Sequence, residues 1–101
     1  MTTDRIARTQ EVDGTHLQGY ITATYAELVR VFGEPDEGCD GKTRAEWGLR
    51  FPEGTIATIY DWKSDLPVQS VSQWNVGGHF ARAVQHVENA LYLGWKASAY
   101  K

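Results

Sequence analysis

Gly77, Gly78, His79, Arg82 and His86 lie close together in the stretch WNVGGHFARAVQHVENAL, and they are residue types from which an anion site is built. A glycine pair lets the backbone approach a ligand, and a helix starting at about His79 would point unpaired N–H groups and a positive dipole end at the same place. On that helix His79, Arg82 and His86 share one face, where Arg82 would grip a phosphate through two N–H groups and His79 would donate to it. Trp62 and Lys63, at the end of the preceding strand, and Trp74 would add a stacking surface and a charge. The expected ligand-binding set is therefore Gly77, Gly78, His79, Arg82, His86, Trp62, Lys63 and Trp74, and the ligand is a small anion or nucleotide. A plainer account competes with it: the glycines turn the chain for steric reasons, and Arg82 and His86 sit in water.

Tyr20, Trp47, Tyr60, Trp62 and Trp74 form a second constellation, an aromatic platform that would stack a base or anchor a partner protein. Trp47 and Tyr60 are expected in the core, and Trp62 and Trp74 on the surface beside the glycine pair. Catalysis has little to stand on. His79 with Asp61, or His16 with an acid, would make a general base, but no serine or cysteine nucleophile sits in a recognisable turn, so no enzyme is expected. Cys39 lies in the acidic run EPDEGCDGK without a nearby histidine, which lacks zinc-site spacing, so neither a metal nor a cofactor is expected.

Composition narrows the partners. The chain has 101 residues, 42% hydrophobic and 12% aromatic, a size and content that suit one domain with a modest core. Ten Lys and Arg against 13 Asp and Glu give a net charge of −3 with no basic run, which argues against a nucleic-acid binder and leaves room for a local cationic pocket. One cysteine excludes an internal disulfide, the start MTTDRIARTQ lacks the apolar run of a signal peptide, and no apolar segment approaches the roughly 18 residues of a membrane span. A soluble cytoplasmic protein is the expectation. The small size and the four Trp and five Tyr also favour self-association, with a pocket built at a subunit interface of a homo-oligomer.

The elements that must position these residues follow in order. Residues 1–13 are polar and aperiodic and read as a flexible arm. From Gly14 the run THLQGYITA makes a first strand, and Thr24-Tyr-Ala-Glu27 is a capping box that starts a short helix, Tyr25 to Phe32, ended by Gly33 and Pro35. Residues 34–42 read as an exposed loop. Residues 43–51 and 55–63 read as a hairpin; a two-residue turn at Glu53-Gly54 would set Phe51 opposite Ile56, Trp47 opposite Tyr60 and Ala45 opposite Trp62. That register gives one aromatic face and places Asp61 with Arg44, Glu46, Arg50 and Lys63 on a charged one around Ala57 and Ile59. Val71 to Val76 makes a further strand, and a final helix to about Trp95 buries a stripe of Phe80, Ala83, Val84, Val87 and Leu91. The result is an α+β domain over residues 14–96, with an antiparallel sheet of three to four strands covered by two helices in the order β-α-β-β-β-α. Sequential strands are expected to be neighbours, and residues 97–101 form a tail.

The runs TYAELVRVFGEP, AEWGLRFPEGTIATIYDWK and WNVGGH, followed by the closing helix, resemble small accessory proteins of bacteriophages, especially phages of actinobacteria. The resemblance covers residues 14–91. It implies a counter-defence factor that sequesters a phosphorylated or nucleotide signal or, as the alternative, a protein-protein inhibitor whose acidic loop and exposed aromatics occlude a basic surface of a host defence protein.

Overall fold

The computed structural model describes residues 6–36, 43–62 and 66–99, with side chains described except at 43, 44, 62 and 93–99. Five strands form one antiparallel sheet: β1 (Ala7–Arg8), β2 (His16–Thr22), β3 (Thr43–Arg50), β4 (Ile56–Trp62) and β5 (Gln73–Gly78), in the spatial order β1-β3-β4-β5-β2. Two helices, α1 (Tyr25–Phe32) and α2 (Arg82–Ala99), complete the α+β domain. The strands β3, β4 and β5 are neighbours in sequence order, whereas β2 crosses over to pair with β5 at the far edge. Ala23 just before α1, Leu28 and Phe32 from α1, and Ala83 and Val87 from α2 join one buried cluster with one face of the sheet.

The capping box forms as read: the Glu27 amide donates to the Thr24 hydroxyl at 3.1 Å and the Thr24 amide to the Glu27 carboxylate at 2.8 Å. These bonds satisfy two end groups that a helix of eight residues cannot satisfy internally.

The hairpin differs from its expected register by one residue. The Phe51 amide bonds the Thr55 carbonyl at 2.9 Å, so Pro52, Glu53 and Gly54 form a three-residue loop in which Gly54 takes φ 102°. A third loop residue moves every partner, so that Leu49 faces Ala57, Trp47 faces Ile59 and Glu46 faces Tyr60. Ala45, Trp47, Leu49 and Phe51 therefore share the core face with Ala57, Ile59 and Asp61, all nearly sealed from solvent. This corrects the single aromatic face. Tyr60 lies on the opposite side, half-buried, and Asp61 is sealed from water where it accepts from the Ala45 amide at 3.0 Å.

The ends of the domain also shift. Residues 6–13, expected to be loose, dock: Ala7 and Arg8 pair with Arg50 and Leu49, and the Thr9 amide bonds the Gly48 carbonyl at 3.0 Å. A side chain at position 48 would run into the Thr9 carbonyl, so the glycine makes room for this segment. Arg8 ties it down by donating to the Phe32 carbonyl at 3.1 Å and to the Asp36 carboxylate at 3.1 Å. At the other end, α2 starts at Arg82, three residues after His79, and runs to Ala99, through part of the expected tail. Phe80, before the helix, is exposed and leaves the expected core stripe. Cys39 and most of the acidic loop lie outside the described residues.

Trp47 and Trp74 hold the centre. Their rings meet edge to face, centroids 5.5 Å apart at 80°, and Tyr25 packs against both. The Trp74 indole donates to the Ala23 carbonyl at 3.0 Å and the Trp47 indole to the Gly33 carbonyl at 2.8 Å, so the pair pins the chain on either side of α1. In Trp74→Phe a ring remains but the Ala23 carbonyl loses its donor. The expected cost is about 1–3 kcal/mol for the stranded carbonyl, and urea unfolding at constant m should read it as a lower midpoint.

Candidate functional site

The structure separates the residues of the expected anion site. Gly77 and Gly78 lie inside β5, both buried, and they form no turn. Their reason is close packing. A Cβ on Gly77 would stand 2.5 Å from the Thr58 hydroxyl, and one on Gly78 would stand 2.6 Å from the Ala83 Cβ, where α2 crosses the sheet. Trp74, expected at the surface, is fully buried because it belongs to the aromatic pair that anchors α1. Lys63 lies outside the described residues, as does the side chain of Trp62.

His79 and Arg82 do come together. With Phe80 and the hairpin residues Glu53, Gly54, Thr55 and Ile56 they line a shallow pocket of about 220 Å³. That volume is below the roughly 300–1,000 Å³ usual for an enclosed small-molecule site. Its electrostatics are mixed. The Glu53 carboxylate sits in the pocket, and His86 turns toward it, Nε2 to Oε1 3.5 Å, with its ring stacked on Phe51 at 5.0 Å. The Arg82 guanidinium lies over the Phe80 ring at 4.7 Å. Nor is the helix start an open cradle. The amides of Ala83 and Val84 are taken by the Phe80 and Ala81 carbonyls at 3.1 Å each.

Glu53 is held below the usual carboxylate range. The Thr55 hydroxyl bonds its carboxylate at 2.7 Å and is the largest cause; slight burial opposes it, and the Thr55 amide, His86 and Arg82 add to the lowering. A lowered value means that any stability this group supplies is present above the ordinary carboxylate range and lost as pH falls through the lowered one.

On the sheet face away from the helices, register places Glu46, Tyr60, Asn75 and Tyr20 in one row across β3, β4, β5 and β2, and Gly48, Thr58, Gly77 and Leu17 in the next. The edge of the Tyr60 ring lies 3.6 Å from where a Cβ on Gly77 would stand. Leu17 is 50% exposed, and Tyr20 and Leu66 are each 53% exposed. A groove of about 290 Å³ runs between Tyr20, Leu66, Gln73 and Asn75. Burial, then the Glu46 carboxylate and the Tyr20 phenol, raise the Tyr60 phenol above its ordinary range.

Of the expected platform, then, Tyr20 and Tyr60 lie in one row on the face away from the helices with Asn75 between them, Trp47 is in the core as expected, and Trp74 joins it there. Sequence reading missed Leu17, Asn75, Glu53 and Thr55. A bulge between Leu17 and Gly19 interrupts the two-residue alternation of β2, so Leu17 and Tyr20 come to one face at a spacing that no regular strand allows. The proposed general base of His79 with Asp61 is not assembled: His79 follows Gly78, whose β4 partner Ala57 is four residues from Asp61.

Two outcomes check this description. Thr55→Val should move the Glu53 midpoint, followed by NMR, up toward the ordinary carboxylate value, and Arg82→Ala should move it less. Gly78→Ala should destabilise the fold by about 1–3 kcal/mol through overpacking against Ala83. Ala83→Gly should recover part of that loss in the double variant, as read by thermal unfolding.

No helix of the described residues is long and apolar enough to cross a membrane, and they contain no group of three or more His, Cys, Asp or Glu side chains placed to hold a metal ion. Compared with protein-family models, with curated proteins and with solved structures, the chain matches none.

Proposed function

We propose that this protein is a non-catalytic binding module that engages a partner protein through the open face of its sheet. The observation that carries this reading is the exposure of Leu17, Tyr20 and Leu66 around the Tyr60–Asn75 pair, on the face opposite the helices. Tyrosine supplies large contact area at low entropic cost together with a hydroxyl that bonds at a wet rim, which is why it is frequent in protein interfaces. The net charge of −3, with Glu46 at the end of the tyrosine row, favours a partner with a basic surface, since complementary fields speed encounter and fix orientation.

The resemblance to phage accessory proteins makes that partner a host defence protein, and the module an inhibitor that works by occlusion. Sequestration of a phosphorylated ligand at His79 and Arg82 has less support. The pocket is small, it contains Glu53, and the Ala83 and Val84 amides are already bonded.

The test is differential capture from host lysate. The wild-type protein and Arg82→Ala should retain the same partner, whereas Leu17→Asp and Tyr20→Ala should lose it at least tenfold, about 1.4 kcal/mol or more. Loss of capture in Arg82→Ala alone, or a thermal shift with nucleotides that Arg82→Ala removes, would transfer the function to the pocket.

A further inference from the structure

The edge strand β2 carries a second recognition surface, made of main chain. The Ala23 amide donates to the Ser72 carbonyl at 3.0 Å, in the same register that pairs Thr22 with Gln73 and Tyr20 with Asn75. Main-chain groups alternate in direction along an antiparallel strand, so Ala23, Ile21 and Gly19 turn theirs toward β5. Tyr20 and Thr22 turn theirs outward, where no described strand lies beyond β2.

Such an edge is a template for another strand, and proteins usually block it with proline, lysine or a bulge. β2 reads HLQGYIT, with neither proline nor an acid, lysine or arginine, and its bulge is confined to Leu17–Gly19. The segment from Gly19 to Thr22 stays regular. The nearest charged residues along the chain, Asp13 and Glu27, lie outside the strand.

We propose that β2 pairs antiparallel with β2 of a second copy about a two-fold axis at Ile21. Tyr20 of each copy exchanges N–H···O=C bonds with Thr22 of the other. A two-fold axis sets each residue against its own kind or a near neighbour, and a chain of net charge −3 repels its copy. An edge without an acid, lysine or arginine from Leu17 to Thr22 lets two copies of an acidic chain meet there with no like charges opposed. The pairing joins two five-stranded sheets into one and brings the two Leu17 and Tyr20 patches side by side. It goes beyond the partner-binding reading and does not depend on it.

Sedimentation equilibrium over a wide concentration range tests the proposal, read together with Thr22→Pro. That substitution removes an outward N–H the monomer's own ladder does not use, and proline suits the backbone of an edge strand. The wild-type mass should be twice 11.3 kDa and should halve in Thr22→Pro. Should the variant fail to fold, amide exchange on the wild type replaces it: the Tyr20 and Thr22 amides should slow as concentration rises. A wild-type mass of 11.3 kDa at every concentration overturns the proposal, as does a folded Thr22→Pro that stays dimeric, or Tyr20 and Thr22 amides that exchange at the same rate throughout. Partner capture that persists in Thr22→Pro but fails in Leu17→Asp separates this edge from the open face.

Discussion

The edge-to-face contact of Trp47 with Trp74 is the constraint on which the rest of the domain depends. Each ring comes from a different strand, and each indole N–H binds the main chain beside a different end of α1. One buried pair therefore fixes the spacing of β3 and β5 across β4, and the position of the helix above them. Such a pair is worth about 0.5–1.5 kcal/mol beyond the area it buries, and its two hydrogen bonds settle carbonyls that would otherwise be costly to enclose. An alternative register would strand both.

Committing the tryptophans to this role has a consequence for function. They are unavailable to a ligand, and so is the glycine pair, which is used up in bringing β5 against β4 and α2. What stays at the surface is the part of the second face around Tyr20 and Leu17, since Gly48, Thr58 and Gly77 on that face are buried, together with the strand that the crossover leaves at the edge. An antiparallel sheet tolerates one solvated face, but a half-exposed leucine and tyrosine brought to one face of β2 by a bulge are not what solvation requires. The pocket at His79 and Arg82, by contrast, has a carboxylate in its lining, with Arg82 over the Phe80 ring. Glu53 adds a negative charge beside the groups that would attract an anion, and Thr55 holds its carboxylate in place.

Much of the fold was legible because it rests on local chemistry. The capping box at Thr24 and Glu27 and the stop at Gly33 depend on neighbours within a few residues, and α1 has the expected bounds. The hairpin was visible as two alternating runs around Pro52-Glu53-Gly54. Its register was not, because a two-residue and a three-residue loop fit the same letters, and the difference of one residue decides which way Tyr60 and Asp61 point. The docking of residues 6–12 was hidden for a similar reason: two residues of strand carry no period, and the space above Gly48 shows only once the arm lies on it.

The amino-acid sequence by itself determined the class of domain, the first helix with its cap, the acidic balance and the absence of a basic run. Each is a property of composition or of residues in near contact along the chain. Tertiary structure alone decided that Trp74 joins Trp47 in the core while Tyr60 turns away from it, that Gly77 and Gly78 serve packing, and that Leu17 joins Tyr20 on one face. Those outcomes follow from strand order, from a bulge and from loop length, where a shift of one residue reverses the side to which every later side chain points.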